Sequence, residues 1–526
     1  MDNDIYDPLA EYVNVFRNRF KQVAESTFEE LAVEAGVDVN ANRKTCSQLY
    51  DSMEQWDGIK HRCRMWQAAR VVLWIIIIAC GAVVMFCREI TPWMGISIGV
   101  ACVASLVLIL VKANPEIETL KAASADLERT AKKLKKEAWA QMHTLNGLYD
   151  WDLFTRMMMK TVPKLEFDPY FTTKRLADLK MTYGWDDSFN EDRSVVYSHS
   201  GLINGNPFVI CRTRKMVMGT KTYNGEKTIY WTTSERGSDG KYHTVRHSET
   251  LHASVTAPYP LYEEATRLIY GNTAAPDLIF DRRKSGLANE EGSLRYKLKR
   301  RSLRKKARDL EREDFVMLTN EEFEVAFNTS NRNNNQQFAL LFTPLAQENM
   351  LKLLKDTSAG YGDDFDFYKD GMINVIVPDH LQSLDLEMNP SQYLHFDYDK
   401  AKRNFYAINA GYFRAVYFSL APLLCVPMYQ QIRSRQDIYG YDMPSHSSFW
   451  EHEALANFWG KDHFKAPGCV TDCILKTRQK KLQRTVRSLQ FMPMVSVRKH
   501  SSLMSLEWEV TDVHMRCLFI GTSTSR

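Results

Sequence analysis

Two uninterrupted apolar runs dominate the pattern of hydrophobic and polar positions along the chain. From Val71 to Cys87 no residue is charged, and Trp74 is followed by Ile75, Ile76, Ile77 and Ile78. A second uncharged run extends from Ile90 to Val111. A helix needs roughly 20 apolar residues to cross a bilayer core, and with Ala68 and Ala69 the first run approaches that length. Only Arg88 and Glu89 lie between the runs, so the pattern predicts a transmembrane hairpin over 68–112. Lys60, Arg62, Arg64 and Arg70 precede it, and Lys112, Lys121 and Arg129 follow it. Positive charge stays on the cytoplasmic side. The expectation is a multi-pass protein of the cell membrane with both termini and the large domain in the cytoplasm. Trp66, Trp74 and Trp93 stand near the expected ends, as interfacial aromatics do.

On either side of the hairpin the spacing is helical. Leu9, Val13, Phe16, Phe20 and Val23 recur at intervals of three and four within residues 5–34, and a second helical stretch covers about 43–66, so 1–66 reads as an N-terminal helical region. Asn114-Pro115-Glu116 is a helix start, with Asn at the cap and Pro in the first turn. The positions Ile117, Leu120, Ser124, Leu127, Ala131, Leu134 and Ala138 then alternate steps of three and four, the seam of a coiled coil with small residues. This predicts a helical stalk over 114–160 that pairs with the N-terminal helices.

From about 165 the texture becomes β-rich. A first β/α unit, 165–290, contains strands at Ser194–Ser200 and Phe208–Val217 around the turn Asn204-Gly205-Asn206. Thr228–Ser234 and Lys241–Thr256 flank Gly237-Ser238-Asp239-Gly240, a second hairpin signal, and Leu261–Tyr270 reads as a helix closed by Gly271. A basic linker, 291–312, leads to a second β/α unit over 313–440. There Thr319-Asn320-Glu321-Glu322 opens a short helix bearing Phe323 and Phe327, Gln337–Phe342 reads as a strand, and Thr343-Pro344 starts a helix with Leu345, Met350, Leu351 and Leu354. Asp364–Tyr368 and Met372–Val377 form a hairpin around Lys369-Asp370-Gly371. The apolar stretch Asn404–Met428 contains Arg414, Pro422 and Pro427, which favours a buried helix or a re-entrant element over a third span. A C-terminal α/β segment occupies 441–526. The fold class expected is α+β.

The residues Glu322-Phe323, Phe327, Phe338-Ala339-Leu340-Leu341-Phe342-Thr343-Pro344, Met350–Leu354, Phe365, Phe367 and Gly371–Val377, with Ser200–Phe208 upstream, resemble an uncharacterised bacterial membrane-protein family, a domain of unknown function. The resemblance covers about 190–380. It implies two N-terminal transmembrane segments and a cytosolic α+β region, and it supplies no activity.

Composition changes this picture little. The 526 residues are 44% hydrophobic and 25% charged, ordinary for a globular chain, and the net charge of +4 is too small to imply nucleic acid. The 10 cysteines lack a framework spacing and read as reduced thiols, and the acidic start Met1-Asp2-Asn3-Asp4 is not a signal peptide. Locally, Arg295, Lys297, Lys299, Arg300, Arg301, Arg304, Lys305 and Lys306 form the densest charge cluster, suited to anionic lipid headgroups beside the bilayer. No aromatic platform accompanies it, so nucleic acid is not an expected partner.

His446, His452, His463, Cys469 and Cys473 are zinc-ligand types within a short span, though without a second His completing a zincin helix. His243 and His247 share one strand face, with His199 on another strand, and Asp363, Asp364 and Asp366 read as a solvated acidic turn. No phosphate loop, dinucleotide fingerprint or nucleophile elbow occurs, and no cofactor is expected. The function expected is therefore a non-enzymatic scaffold or sensor. Its partners would be the lipid bilayer, a protein partner, or a homo-oligomer formed through the stalk. The alternative is a membrane-associated enzyme, metal-assisted through the cluster at 446–473.

Overall fold

The computed structural model describes residues 4–86, 92–186, 188–236, 241–308, 315–329, 331–432, 446–460 and 463–464, and strands at 475–479, 489–493, 501–510 and 513–522. The fold is α+β, and it divides into two compact units. One comprises Lys21–Met157 and Met388–Gly411; the other comprises Met1–Phe20, Met158–Glu387 and Tyr412–Arg526.

The first unit is helical. The helix Val39–Phe86 runs unbroken from polar into apolar sequence, and Pro92–Leu108 continues through a wide turn at Ile109–Ala113 into Asn114–Gln141. Both are long and apolar enough to cross a membrane, with mean hydropathy 1.9 and 2.4 in their most apolar windows. Arg88 and Glu89, between them, lie outside the described residues.

Beyond the apolar halves the two helices pack antiparallel. Arg70 donates to Asn114 Oδ1 at 3.5 Å, Trp56 Nε1 to Ser124 Oγ at 3.0 Å, and Gln141 Nε2 to Thr45 Oγ1 at 3.0 Å. Ile117, Leu120, Ser124, Leu127, Ala131, Leu134 and Ala138, the seam read from the sequence, are all buried or half-buried, and their neighbours are mostly exposed. Tyr149, Tyr393 and Phe405 close the unit with ring contacts of 5.0 to 5.9 Å.

The second unit is built on one antiparallel seven-stranded sheet of order β1-β2-β3-β4-β7-β6-β5. Its strands are β1 (Leu165–Phe167), β2 (Arg193–Ile203), β3 (Asn206–Arg236), β4 (Tyr242–Gly271), β5 (Ile279–Arg282), β6 (Phe365–Asp370) and β7 (Ile373–Pro378). The strands of both expected β/α units thus belong to a single sheet. The tight turn between β2 and β3 uses Asn204 at φ 52° and Gly205 at φ 73°, the left-handed pair a two-residue hairpin requires.

The helices Thr173–Met181 and Phe449–Phe458 cover one face of this sheet. There Phe171, Leu179, Trp185 and Trp450 bury Val195, Val209, Cys211 and Ile269. Around β5 and β6, Phe280 meets Phe327, Phe338, Phe342 and Phe367 at 5.2 to 6.1 Å. A separate four-stranded sheet of order β10-β11-β9-β8 is formed by β8 (Leu475–Gln479), β9 (Leu489–Pro493), β10 (Ser501–Val510) and β11 (Val513–Thr522).

Several expectations are corrected. Leu261–Tyr270 is the second half of β4, because every residue from Leu261 to Tyr270 pairs across to β3. Gln337–Phe342 lies not in a strand but in the helix Asn335–Leu341 and its cap, started by Asn334, which accepts from Gln337 N at 3.0 Å. The expected linker contains a docked helix, Leu294–Arg308, whose Tyr296 and Leu303 pack with Leu287, Phe315 and Val325. At the N-terminus the buried stripe is Tyr12, Phe16, Phe20, Ala24, Phe28 and Ala32, and Val13 points to solvent. Asn404–Met428, expected as a buried helix or a re-entrant element, is a buried helix and its continuation: the helix Tyr398–Leu424 hides Phe413, Tyr417, Leu420 and Leu424, and Tyr417 OH donates to Pro8 O at 2.7 Å.

Candidate functional site

β3 and β4 are 31 and 30 residues long, several times the usual strand, and they pair without interruption from Phe208↔Tyr270 to Arg236↔Tyr242. β2 accompanies β3 only as far as Lys215, and β7 accompanies β4 only over Leu268–Gly271. Beyond those points the two strands form an arm on which no other described strand pairs, and nearly every residue is exposed. From Gly219 to Glu235, at roughly 3.3 Å per residue, the arm is about 55 Å long.

Because strand side chains alternate, the arm has two chemically different faces. Even-numbered positions are hydroxyl-rich, and Thr222 meets Thr256 at 3.0 Å and Thr228 meets Thr250 at 3.1 Å across the ribbon. Odd-numbered positions carry Val217, Tyr223, Ile229, Trp231, Val245, Leu251, Val255, Tyr259 and Leu261, interleaved with Lys221, Lys227, Glu235 and Glu249. The contacts respect this division. The Trp231 ring stacks on His247 at 5.6 Å, Lys221 Nζ sits 4.8 Å over Tyr259, and a Cβ on Gly219 would touch Leu261 Cδ1 at 2.7 Å. This odd face is the one that Val209, Cys211 and Ile269 present inside the fold, where Trp450 and its neighbours cover it. On the arm Trp231, Leu251, Val255 and Leu261 stay 41 to 64% exposed.

The basic cluster lies on the helix Leu294–Arg308, and the fold sorts its members. Arg304 is held by Glu321 through two hydrogen bonds of 2.7 and 2.6 Å, Arg295 pairs with Glu290 at 3.5 Å, and Lys306 lies 5.1 Å over the Phe315 ring. Lys299 and Arg300 are half-buried. Burial lowers the pKa of Lys299. Lys297, Arg301 and Lys305 are exposed, and Leu294 and Leu298 stand out into solvent beside them, 78% and 63% exposed.

The histidine–cysteine cluster does not assemble among the described residues. No three His, Cys, Asp or Glu side chains there are grouped to hold a metal ion. His446 bonds through its backbone to Thr173, His452 shares a hydrogen bond with Ser447 Oγ at 2.9 Å, and His463 lies edge-on to Phe464. Burial lowers the pKa of His452. Cys469 and Cys473 lie outside the described residues.

The acidic turn is not solvated as expected. Asp363 pairs with fully buried Arg282, Asp364 with His380 Nδ1, and Asp366 accepts from Lys284 N at 3.0 Å. The Tyr361 ring stacks on His380 at 3.9 Å, and Arg414 lies 4.4 Å over that ring. Sequence reading also missed Lys369, whose buried Nζ donates to Ala274 O at 3.0 Å and Gly371 O at 2.7 Å. Burial pushes this amine down to about 7. The acidic side chains are engaged by Arg282, His380 and the Lys284 backbone, and the Lys369 amine by two backbone carbonyls.

No protein-family model, curated protein or solved structure matches the chain.

Proposed function

We propose that the chain is a membrane-anchored scaffold whose exposed β-arm is its principal contact surface. The arm carries this reading. An isolated two-stranded ribbon is marginal in water, and an exposed apolar face of this length is the signature of a surface that another molecule covers. The flanking charges support the orientation: Lys60, Arg62, Arg64 and Arg70 before the first apolar run and Lys112, Lys121 and Arg129 after the second favour cytoplasmic termini and a cytoplasmic sheet unit. The two-span, cytosolic-domain plan implied by the family resemblance agrees with this layout.

The test is a photo-crosslinking phenylalanine in place of Tyr223, which lies on the odd-numbered face and is 48% exposed, introduced into the full chain in native membranes. Capture of a protein through this position supports the scaffold. Capture of lipid alone, or of nothing, rejects it.

A second reading concerns the basic helix. Leu294 and Leu298 lie outward beside Arg301 and Lys305, an arrangement that suits the anionic surface of a leaflet, with apolar side chains entering the headgroup layer and cations meeting phosphate.

A further inference from the structure

We infer that the odd-numbered face of the arm is the contact between two copies of this chain, packed face to face with their strands antiparallel. The inference rests on the scaffold reading and names its partner.

The argument is one of register. Consider a two-fold axis lying between two ribbons, across the strands, level with the Thr228↔Thr250 pair. It sets each β3 over the partner's β3 in reverse and each β4 over the partner's β4. Lys221 then lies over Glu235, and Leu251 lies over Glu249 with Lys227 diagonal to that carboxylate. The cations of this face stand toward the base of the arm and the carboxylates toward its tip, so reversal pairs unlike charges. A parallel pair would instead set each β3 over the partner's β4, placing Lys221 over Ala257 and Lys227 over Leu251 with no carboxylate opposite either cation.

Shape follows the same axis. Gly225 and Ala253 form one cross-strand pair, and a Cβ on Gly225 would meet only Ala253 O, at 4.0 Å. This leaves a shallow gap in the apolar face. The same reversal brings the stacked Trp231 and His247 rings over that gap, and Val255 over Val245. Large side chains meet small ones in both directions, as an isologous contact requires.

The area is sufficient. A face about 55 Å long and about 10 Å wide buries about 550 Å² per copy, or about 1,100 Å² in all, above the roughly 1,000 Å² that separates specific from incidental contacts. Continuity points the same way, because within each chain this face is already a packing surface, covered by Trp450.

The test is the mass of the full chain in detergent, by sedimentation or native mass spectrometry. The wild-type chain is expected as a dimer. Lys221→Glu and Glu235→Lys, each alone, raise its dissociation constant at least tenfold, and the two together restore it. Thr222→Glu with Thr256→Glu, on the opposite face, leaves it unchanged. A monomeric wild-type chain overturns the inference, as does a dimer that ignores Lys221→Glu or is lost equally through either face. A monomer that still captures a different protein through Tyr223 rejects the second copy and leaves the scaffold standing. A monomer whose odd face captures only lipid assigns that face to the bilayer and overturns both.

Discussion

Arg332 and Glu324 meet through two hydrogen bonds, Nη1 to Oε2 at 3.1 Å and Nη2 to Oε1 at 2.8 Å, with both side chains almost wholly out of water. The Arg332 guanidinium lies 4.6 Å from the Phe315 ring centre and 4.1 Å from that of Phe338, and Glu324 also accepts from Leu318 N at 2.7 Å. Removing one partner strands a charge in an apolar setting, which costs about 3–5 kcal/mol. Glu324→Gln and Arg332→Met are each expected to destabilise the sheet unit by that amount, and the double variant by less than the sum. Unfolding of the four chains by denaturant reads this directly. Strict additivity would show that the pair is not coupled.

Lys369 gives the fold a pH dependence. Its amine is pushed down to about 7 in the folded chain, whereas an unfolded lysine titrates near about 10.4. Between those values the unfolded chain binds the extra proton, so stability rises with pH across the window and the deficit is complete below about 7. Lys369→Met is expected to flatten the melting temperature between about pH 7 and pH 10. It should also lower stability at the alkaline end, since Ala274 O and Gly371 O lose their donor. An unchanged slope would place the pH dependence elsewhere.

For the basic helix, the side chains to change are those the fold leaves exposed. Arg301→Gln with Lys305→Gln removes two cations worth about 1 kcal/mol each at an anionic surface, close to a thirtyfold effect. Hydrogen exchange of residues 294–308 in the full chain, reconstituted in anionic or neutral nanodiscs, is the measurement. Anionic lipid should slow exchange in the wild type and not in the double variant. Arg304→Gln should retain the slowing, because Glu321 already occupies that guanidinium. Equal exchange in both lipids sinks the lipid reading.

Two glycines should respond to alanine with opposite signs. A Cβ on Gly201 would stand 2.1 Å from Glu166 O and 2.8 Å from the Phe208 ring, so Gly201→Ala must separate β1 from β2 and cost about 1–3 kcal/mol or more. Gly58, inside the helix Val39–Phe86, has nothing within 4 Å of such a Cβ. There Gly58→Ala should stabilise by about 0.5–1 kcal/mol. Melting temperatures of the two variants decide.

The features legible in the sequence are those fixed by local chemistry. Thr343 caps its helix where its spacing says it should, the helix announced by Thr319–Glu322 opens one residue later with Asn320 as its cap, Asn204-Gly205 makes its turn, and the Ile117–Ala138 seam is the covered face of its helix. The misread segments were decided by distant partners. Leu261, Ala265, Leu268 and Ile269 satisfy helical spacing, yet pairing with Val217, Thr213, Ile210 and Val209 holds them extended. Phe338–Phe342 is apolar enough for a buried strand, but Asn334 nucleates a turn of helix that buries Phe338 and Leu341 together. Of the candidate site, the two arm strands were visible as hairpin signals. Their length and facial division were not, because no strand is read between Val217 and Thr228, where Gly219 and Gly225 weaken the local pattern. The roles of Asp363, Asp364 and Lys369 were invisible for the same reason, since each depends on residues far away in the chain.

The helix Val39–Phe86 is a single rod without a joint. Its polar part from Val39 to about Met65 is about 40 Å long at 1.5 Å per residue, and the apolar part continues it in the same unbroken helix. A bilayer that thickens or thins changes the tilt of such a span. A lever of this length turns a tilt of about 5° into a sideways displacement of about 3–4 Å at its far end. In a chain anchored by this helix, a change of tilt is carried along continuous helix as far as Val39.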